Sequence, residues 1–306
     1  MITAPTGNIS KFLADLDRTQ NQLQQVQAQV SSGLRVQRPS DDPSAIDGIL
    51  ETQTSLTLNR QVQSNIGTIR GNVESSDAAV QSAIKLIENA ITLATQAAST
   101  PLNPQARAAL ATQVQGLQET LVGLSQTSVN GHFVFSGDQD NTAAYQLDLT
   151  QPDGVRRILN GPATQVLQDV NGTTIGVSRT AGEIFDPRNP DGTAASGNAF
   201  SALNALRLAL QANDSAGAAL AADALKQADN HLNTMGAFYG NVQARLDSAT
   251  ELAQKFLVNE QTRLSQLRDT DVAAAAVQLT QLQTQQQASL TMESKISHAN
   301  LFDFLS

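Results

Sequence analysis

Residues 225–256 read LKQADNHLNTMGAFYGNVQARLDSATELAQKF. Within this stretch Leu225, Ala228, Leu232, Met235, Tyr239, Val242, Leu246, Ala249, Ala253 and Phe256 recur at alternating steps of three and four without a miss. That period places every one of them on a single face of an α-helix, and at this length it predicts a rod packed along a partner rod. Gly236 and Gly240, four apart in the same helix, fit a close approach of another helix at both positions, ahead of the other reading, a functional bend.

The same rhythm appears elsewhere. Val62, Ile66, Ile69, Val73, Val80, Ile84, Ile87, Ile91 and Ala94 share one face of a long second helix. It starts at Pro43, capped by Asp42, and stops before Pro101. Asn103-Pro104 repeats that start, and Leu110, Val114, Leu117, Leu121 and Leu124 carry a third helix, expected to end at Asn130-Gly131. Near the start, Ile9, Phe12, Leu16, Leu23, Val26 and Val30 form a coiled-coil-like stripe with Thr19 in the remaining slot. The outer faces of that helix carry Gln20, Gln22, Gln24, Gln25, Gln27 and Gln29, read as solvated faces of a regular helix. A helix at Phe200, Leu203, Leu206 and Leu210 breaks at Asn213-Asp214, and Asp269-Thr270-Asp271 marks a joint. A last helix carries Leu279, Leu282, Leu290 and Ile296, followed by an apolar tip at Leu301, Phe302, Phe304 and Leu305. That tip fits either a core plug or a contact with another protein.

Between His132 and about Gly197 the period changes. Asp153-Gly154, Asn160-Gly161, Asn171-Gly172 and Asp191-Gly192 separate short β-prone runs, which reads as antiparallel hairpins. The expected fold class is therefore mainly α, a long helical bundle or coiled coil formed by both chain halves, with a small inserted antiparallel β domain. The expected segments are 1–40 pairing with 270–306, helical parts at 41–131 and 198–269, and a β-rich insert at 132–197.

Composition narrows the partners. The 306 residues carry 28 acidic and 19 basic side chains, a net charge of -9, which argues against nucleic acid or an anionic membrane. There is no cysteine, so disulfides and thiolate chemistry are excluded. Aromatics are only 4% of the chain, as suits narrow helix–helix seams more than a broad globular core. No run is apolar enough to span a membrane, and Met1 to Lys11 lacks the pattern of a cleaved secretory signal. Asp41, Asp42 and Asp47 fit a turn and helix cap better than a metal site, because proline follows directly and no histidine lies near. His132, His231 and His298 stand apart, and no nucleophile, zinc or phosphate-loop motif occurs. The expectation is a non-enzymatic protein without cofactor.

The terminal helices each have one narrow stripe and neutral polar flanks. Ordering such a helix consumes most of what a single seam contributes. They are expected to gain order against each other and against neighbouring copies, in a closed dimer or an open head-to-tail polymer.

Two stretches then carry a family resemblance. Ser31-Ser32-Gly33-Leu34-Arg35-Val36-Gln37-Arg38-Pro39-Ser40-Asp41-Asp42-Pro43-Ser44 resembles the flagellin family after its first helix, with Arg38, Pro39, Asp41, Asp42 and Pro43 as its core. Asn130-Gly131-His132-Phe133-Val134-Phe135-Ser136-Gly137 is similar to the entry into the β domain in the branch of that family that joins hook to filament. The resemblance implies an extracellular flagellar subunit exported without a cleaved signal. It also implies partners: copies of itself in a helical ring, a hook-side junction protein, flagellin, and an export chaperone on the C-terminal helix. A bulk flagellin and an exported tip or binding protein are the competing readings.

Overall fold

The computed structural model describes residues 6–99, 103–159 and 161–296. The helices are α1 (Thr6–Ser32), α2 (Pro43–Ser99), α3 (Pro104–Ser125), α4 (Ala181–Phe185), α5 (Ala199–Gln211), α6 (Ser215–Arg268) and α7 (Val272–Ile296). Three two-stranded antiparallel hairpins lie between α3 and α4: β1 (Ser128–Val129) with β2 (His132–Phe133), β3 (Tyr145–Leu147) with β4 (Val155–Arg157), and β5 (Val166–Gln168) with β6 (Thr174–Gly176). The chain is mainly α, with a small β region.

It forms two compact units, Met1–Leu58 with Leu257–Ser306, and Asn59–Phe256. In the second unit the ten-residue stripe of α6 points inward, with eight of its members buried and Met235 and Phe256 half-buried. It meets α2, where the Asn59 side-chain amide donates to the Ala253 carbonyl at 2.8 Å and Arg70 pairs with Asp247 at 2.6 Å. Gly236 is a close approach: a Cβ there would stand 3.0 Å from the Gln81 amide nitrogen. Gly240, expected to do the same, is exposed with nothing within 4 Å of a built Cβ, because four residues turn it 40° off the seam.

α3 ends at Ser125, short of the expected Asn130-Gly131, because the amides of Gln126 and Thr127 already fold back to the carbonyls of Gly123 and Leu124. Asn130 (φ 54°) and Gly131 (φ 85°) instead make the tight turn joining β1 to β2. Asp153-Gly154 lies in the β3–β4 connection, Asn171-Gly172 in the β5–β6 turn, and Asp191-Gly192 inside an Arg188–Ala194 bridge. Asn160 lies outside the described residues.

The few aromatics are concentrated under this β region. Phe135, Tyr145, Phe185 and Phe200 are almost fully buried, with ring centroids 5.5 Å apart for Phe135–Phe185 and 5.1 Å for Tyr145–Phe200. The β3–β4 connection is fixed to the α3–α5 pair by Gln118, which donates to the Asp153 carbonyl at 3.1 Å, and Asn204, which donates to the Pro152 carbonyl at 2.7 Å. Gly154 between them has φ 72°, and a Cβ there would fall 1.9 Å from the Gln118 amide. Only glycine fits that dock.

Candidate assembly interface

α1 and α7 pack against each other along a narrow seam. Leu23, Val26, Ala275 and Leu282 are its buried members, with Val30 and Leu279 packed at its edges. Thr19 is buried in line with them, its hydroxyl returned to the Asp15 carbonyl at 2.9 Å. Phe12 and Leu16 are half-buried. Leu290, expected on this stripe, is instead 49% exposed. The seam runs 275, 279, 282, 286, 289, so Gln286 and Ser289 take the half-buried slots and Leu290 is rotated off by one residue. The backbones at Ile9 and Ile296 are helical, while their side chains lie outside what is described, as do Leu301, Phe302, Phe304 and Leu305.

The outer side of α7 is unusual. From Val272 to Met292 it carries no charged residue, and Val272, Val277, Leu290 and Met292 are all exposed. Leu13 on α1, Leu50 and Leu58 on α2, and Val258 on α6 are exposed too. Eight of the twelve large exposed apolar side chains among the described residues thus belong to the smaller unit. Isolated exposed leucines mean little, but this concentration on neutral polar rods marks a surface suited to packing against other rods.

The loop between α1 and α2 closes this unit. Gly33 ends α1 at φ 72°, its amide bonded to the Gln29 carbonyl at 2.8 Å. Leu34 then bridges Asp269 across the α6–α7 joint. The amides of Arg35 and Val36 donate to the Arg268 carbonyl, and the amide of Thr270 donates to the Gly33 carbonyl. Arg35 adds a side-chain clasp, donating to the Leu267 carbonyl at 2.7 Å and to Asp42 at 2.7 Å. A guanidinium on the last carbonyls of a helix also meets the negative end of its dipole. Val36, Ala45 and Ile49 are buried beneath, against Ile46, Leu264 and Leu267.

Both aspartates of the motif are local caps. Asp41 accepts from the backbone amides of Gln37 and Arg38 at 2.9 and 2.8 Å. Asp42 accepts from the Ser44 hydroxyl at 2.5 Å and from the amides of Ser44 and Ala45. Pro39 is exposed within the loop, and Pro43 opens α2. The Ser44 hydroxyl, then the Arg35 guanidinium, hold the Asp42 carboxyl down to about 2. The backbone amides of Arg38 and Gln37 lower Asp41 as well. A carboxyl lowered in the folded state contributes stability above its ordinary value and loses it as pH falls through the lowered one. The Asp42 cap therefore contributes fully at neutral pH, and its contribution is lost as pH falls from about 3.8 to about 2. The protection of the Ala45 amide against hydrogen exchange, taken relative to its intrinsic rate at each pH, should fall only in that window. Protection already lost at pH 6 would show that another group sets it.

A second polar centre lies in the larger unit, and sequence reasoning missed it. Asp186, its side chain fully buried, closes α4 and receives the Tyr145 hydroxyl at 2.8 Å, the Asn198 amide at 2.5 Å, Arg188 Nε at 3.1 Å, and the Arg157 guanidinium. Burial first, then the Asp186 charge, pushes the Tyr145 hydroxyl upward. The legible signal was Thr180-Ala181-Gly182-Glu183, whose reciprocal side-chain and backbone bonds start α4 and aim Asp186 inward. Every oxygen of this carboxylate is engaged by donors, so it is built as a structural fastener. Among the described residues no group of three or more His, Cys, Asp or Glu is arranged to hold a metal ion. No helix among them is long and apolar enough to cross a membrane.

Comparison with known proteins matches residues 8–140 to the bacterial flagellin N-terminal helical region and residues 222–305 to the bacterial flagellin C-terminal helical region. The chain belongs to the flagellin family. Flagellar hook-associated protein 3 of Escherichia coli K12 is 27% identical over 292 residues, 90% of each chain. The Salmonella typhimurium protein of the same name is 24% identical over 95% of each. Flagellin B of Helicobacter pylori is 35% identical over 115 residues, but these are 37% of this chain and 22% of that flagellin. Among solved structures, a flagellar hook-associated protein from Vibrio parahaemolyticus superposes with a TM-score of 0.65 at 20% identity, covering 75% of this chain and 100% of that one. Hook-associated protein 3 of Legionella pneumophila gives 0.61 at 14% identity, covering 72% and 98%. Those two likenesses establish a shared fold.

Proposed function

We propose that this chain is a structural subunit of the bacterial flagellum that joins hook to filament. The observation that carries this reading is the extent of its likeness. The two hook-associated relatives align over at least 90% of their own length, whereas the Helicobacter pylori flagellin aligns over about a fifth of its length. A chain with the terminal rods of a flagellin and a short middle fits the adaptor better than the bulk filament subunit.

The mechanism follows from the smaller unit. Among the described residues the α1–α7 seam buries four apolar side chains, and most of the large exposed apolar residues lie on the same unit. Such rods are completed by other rods, so assembly and ordering occur together. Each copy packs coaxially with others in a ring, one end meeting the hook-side junction protein and the other the first flagellin. A chaperone covering the apolar C-terminal helix before export fits the same chemistry, since that helix would otherwise associate prematurely.

The deciding experiment is deletion of the gene in its own organism. The expected cells carry hooks without filaments and release flagellin monomer into the medium, and the intact gene on a plasmid restores filaments. Normal filaments in the deletion strain would overturn the adaptor reading. Hooks without filaments and without shed flagellin would favour a filament subunit instead.

A further inference from the structure

Among its described residues α7 carries two sides that could face α1. Ala275, Leu279, Leu282, Gln286 and Ser289 share the side that is turned to α1. At about 100° per residue, Val272 and Leu290 fall on one line about 80° from Leu282, with Leu279 between, which makes a second side. The first side offers two leucines and an alanine, the second two leucines and a valine. By area taken from water the second is at least the equal of the first. Yet Val272 and Leu290 are exposed, while Gln286 and Ser289 are half-buried. No charged residue lies between Val272 and Met292 to break the tie. The apolar pattern of α7 does not choose the side it buries.

The polar bonds at its root do distinguish the two. The amides of Arg35 and Val36 donate to the Arg268 carbonyl at 2.7 and 3.1 Å, and the Thr270 amide donates to the Gly33 carbonyl at 2.9 Å. The Arg35 guanidinium adds its bonds to the Leu267 carbonyl and to Asp42. Asp271 then starts α7, its carboxylate accepting from the amides of Ala273 and Ala274 at 3.0 Å. On the other strand of the clasp, Gln37 ties the loop back to the end of α1, donating to the Ala28 carbonyl at 3.0 Å and to the Ser32 hydroxyl at 2.7 Å. The last turn of α1 and the first turn of α7 are thus directed by bonds that involve no seam residue. We propose that this clasp holds α1 to one side of α7 and so decides which of the two sides is buried, with Arg35 as the positioning residue. Released from it, α7 can turn by about 60° and bury Val272, Leu279 and Leu290 against α1 instead.

The inference concerns a single copy and does not depend on the adaptor reading. The chain has no cysteine, so one introduced thiol is unique. Ser289→Cys reports the side now buried, and Gln283→Cys, exposed and about 100° from Leu282, reports the other. In the purified full-length chain at high dilution, the thiol at position 283 should react with a maleimide faster than the thiol at position 289. Arg35→Pro deletes the amide and the guanidinium together and should reverse that order. The ratio of the two rates should move by at least about tenfold, the factor set by about 1.4 kcal/mol, less than the three lost hydrogen bonds are worth together. Each thiol is compared with itself across the variants, so its intrinsic reactivity cancels. Arg35→Ala, which keeps the amide, should move the ratio the same way by less. Arg35→Lys, which keeps the amide and a charged donor, should stay near the parent chain. Adding Val272→Gln and Leu290→Gln to Arg35→Pro removes the second apolar side and should return the parent order. An unchanged ratio in Arg35→Pro would overturn the inference, since the seam would then choose its own side. Two fast thiols in Arg35→Pro would overturn it as well, because the clasp would then only keep α7 folded. Equal rates in the parent chain would do the same, as no side would be set.

Discussion

Leu282→Asp is expected to abolish incorporation while leaving Asn59–Phe256 folded. Leu282 is 7% exposed and, among the described residues, is the largest side chain that α7 buries against α1. Removing a buried leucine costs about 2–5 kcal/mol before any charge is considered. A carboxylate in its place must either be desolvated or drive α7 away from α1. Among the described residues the seam has three other buried apolar members, a small core to absorb that loss. The larger unit has a separate and far larger core and should keep its thermal transition. Hydrogen exchange should show the amides of α7 unprotected in the variant and those facing the α2–α6 seam unchanged. The matching change Leu16→Asp, at a half-buried position, should be milder in exchange and equally damaging to swimming. Normal motility of the Leu282→Asp strain would show that this seam is not what assembly uses.

The second large effect falls on stability. Asp186→Ala removes the acceptor on which Tyr145, Asn198, Arg157 and Arg188 converge. Breaking a buried charge pair by deleting one partner costs about 3–5 kcal/mol, because the remaining donors stay desolvated and unpaired. Arg157 and Arg188 keep about a quarter of their side-chain surface in water, which places the expected loss at the lower end of that range. Urea unfolding should show a lower midpoint for the larger unit, and the near-UV signal of the packed Tyr145 and Phe200 rings should disappear first. Asp186→Asn keeps the shape and two acceptor sites, so it should recover part of the stability. A midpoint unchanged in both variants would mean that the β region is held by its aromatic core alone.

These two sites differ in how visible they were. The rods could be read directly, since helix periodicity, proline starts and capping aspartates are properties of residues a few positions apart. The loop at Arg38, Pro39, Asp41, Asp42 and Pro43 was legible for the same reason: Asp41 and Asp42 bond to amides within four residues of themselves. The Asp186 centre joins positions up to 41 residues apart through a β region with only two- and three-residue strands. Nothing local marks such a convergence, apart from the Thr180 and Glu183 box that starts α4.

The amino-acid order by itself determined where the long helices begin, which face of most of their length is apolar, and that two neutral rods flank a turn-rich middle. It could do so because those outcomes depend on backbone bonding and side-chain spacing along one segment. Tertiary structure alone decided that Ser289 and not Leu290 continues the α7 seam, that Gly236 and not Gly240 meets its neighbour, and that Asn130-Gly131 turns a hairpin instead of ending a helix. Steps of seven and eight residues from Leu282 are both compatible with a helix, yet they differ by 100° in direction, and only the partner helix selects between them.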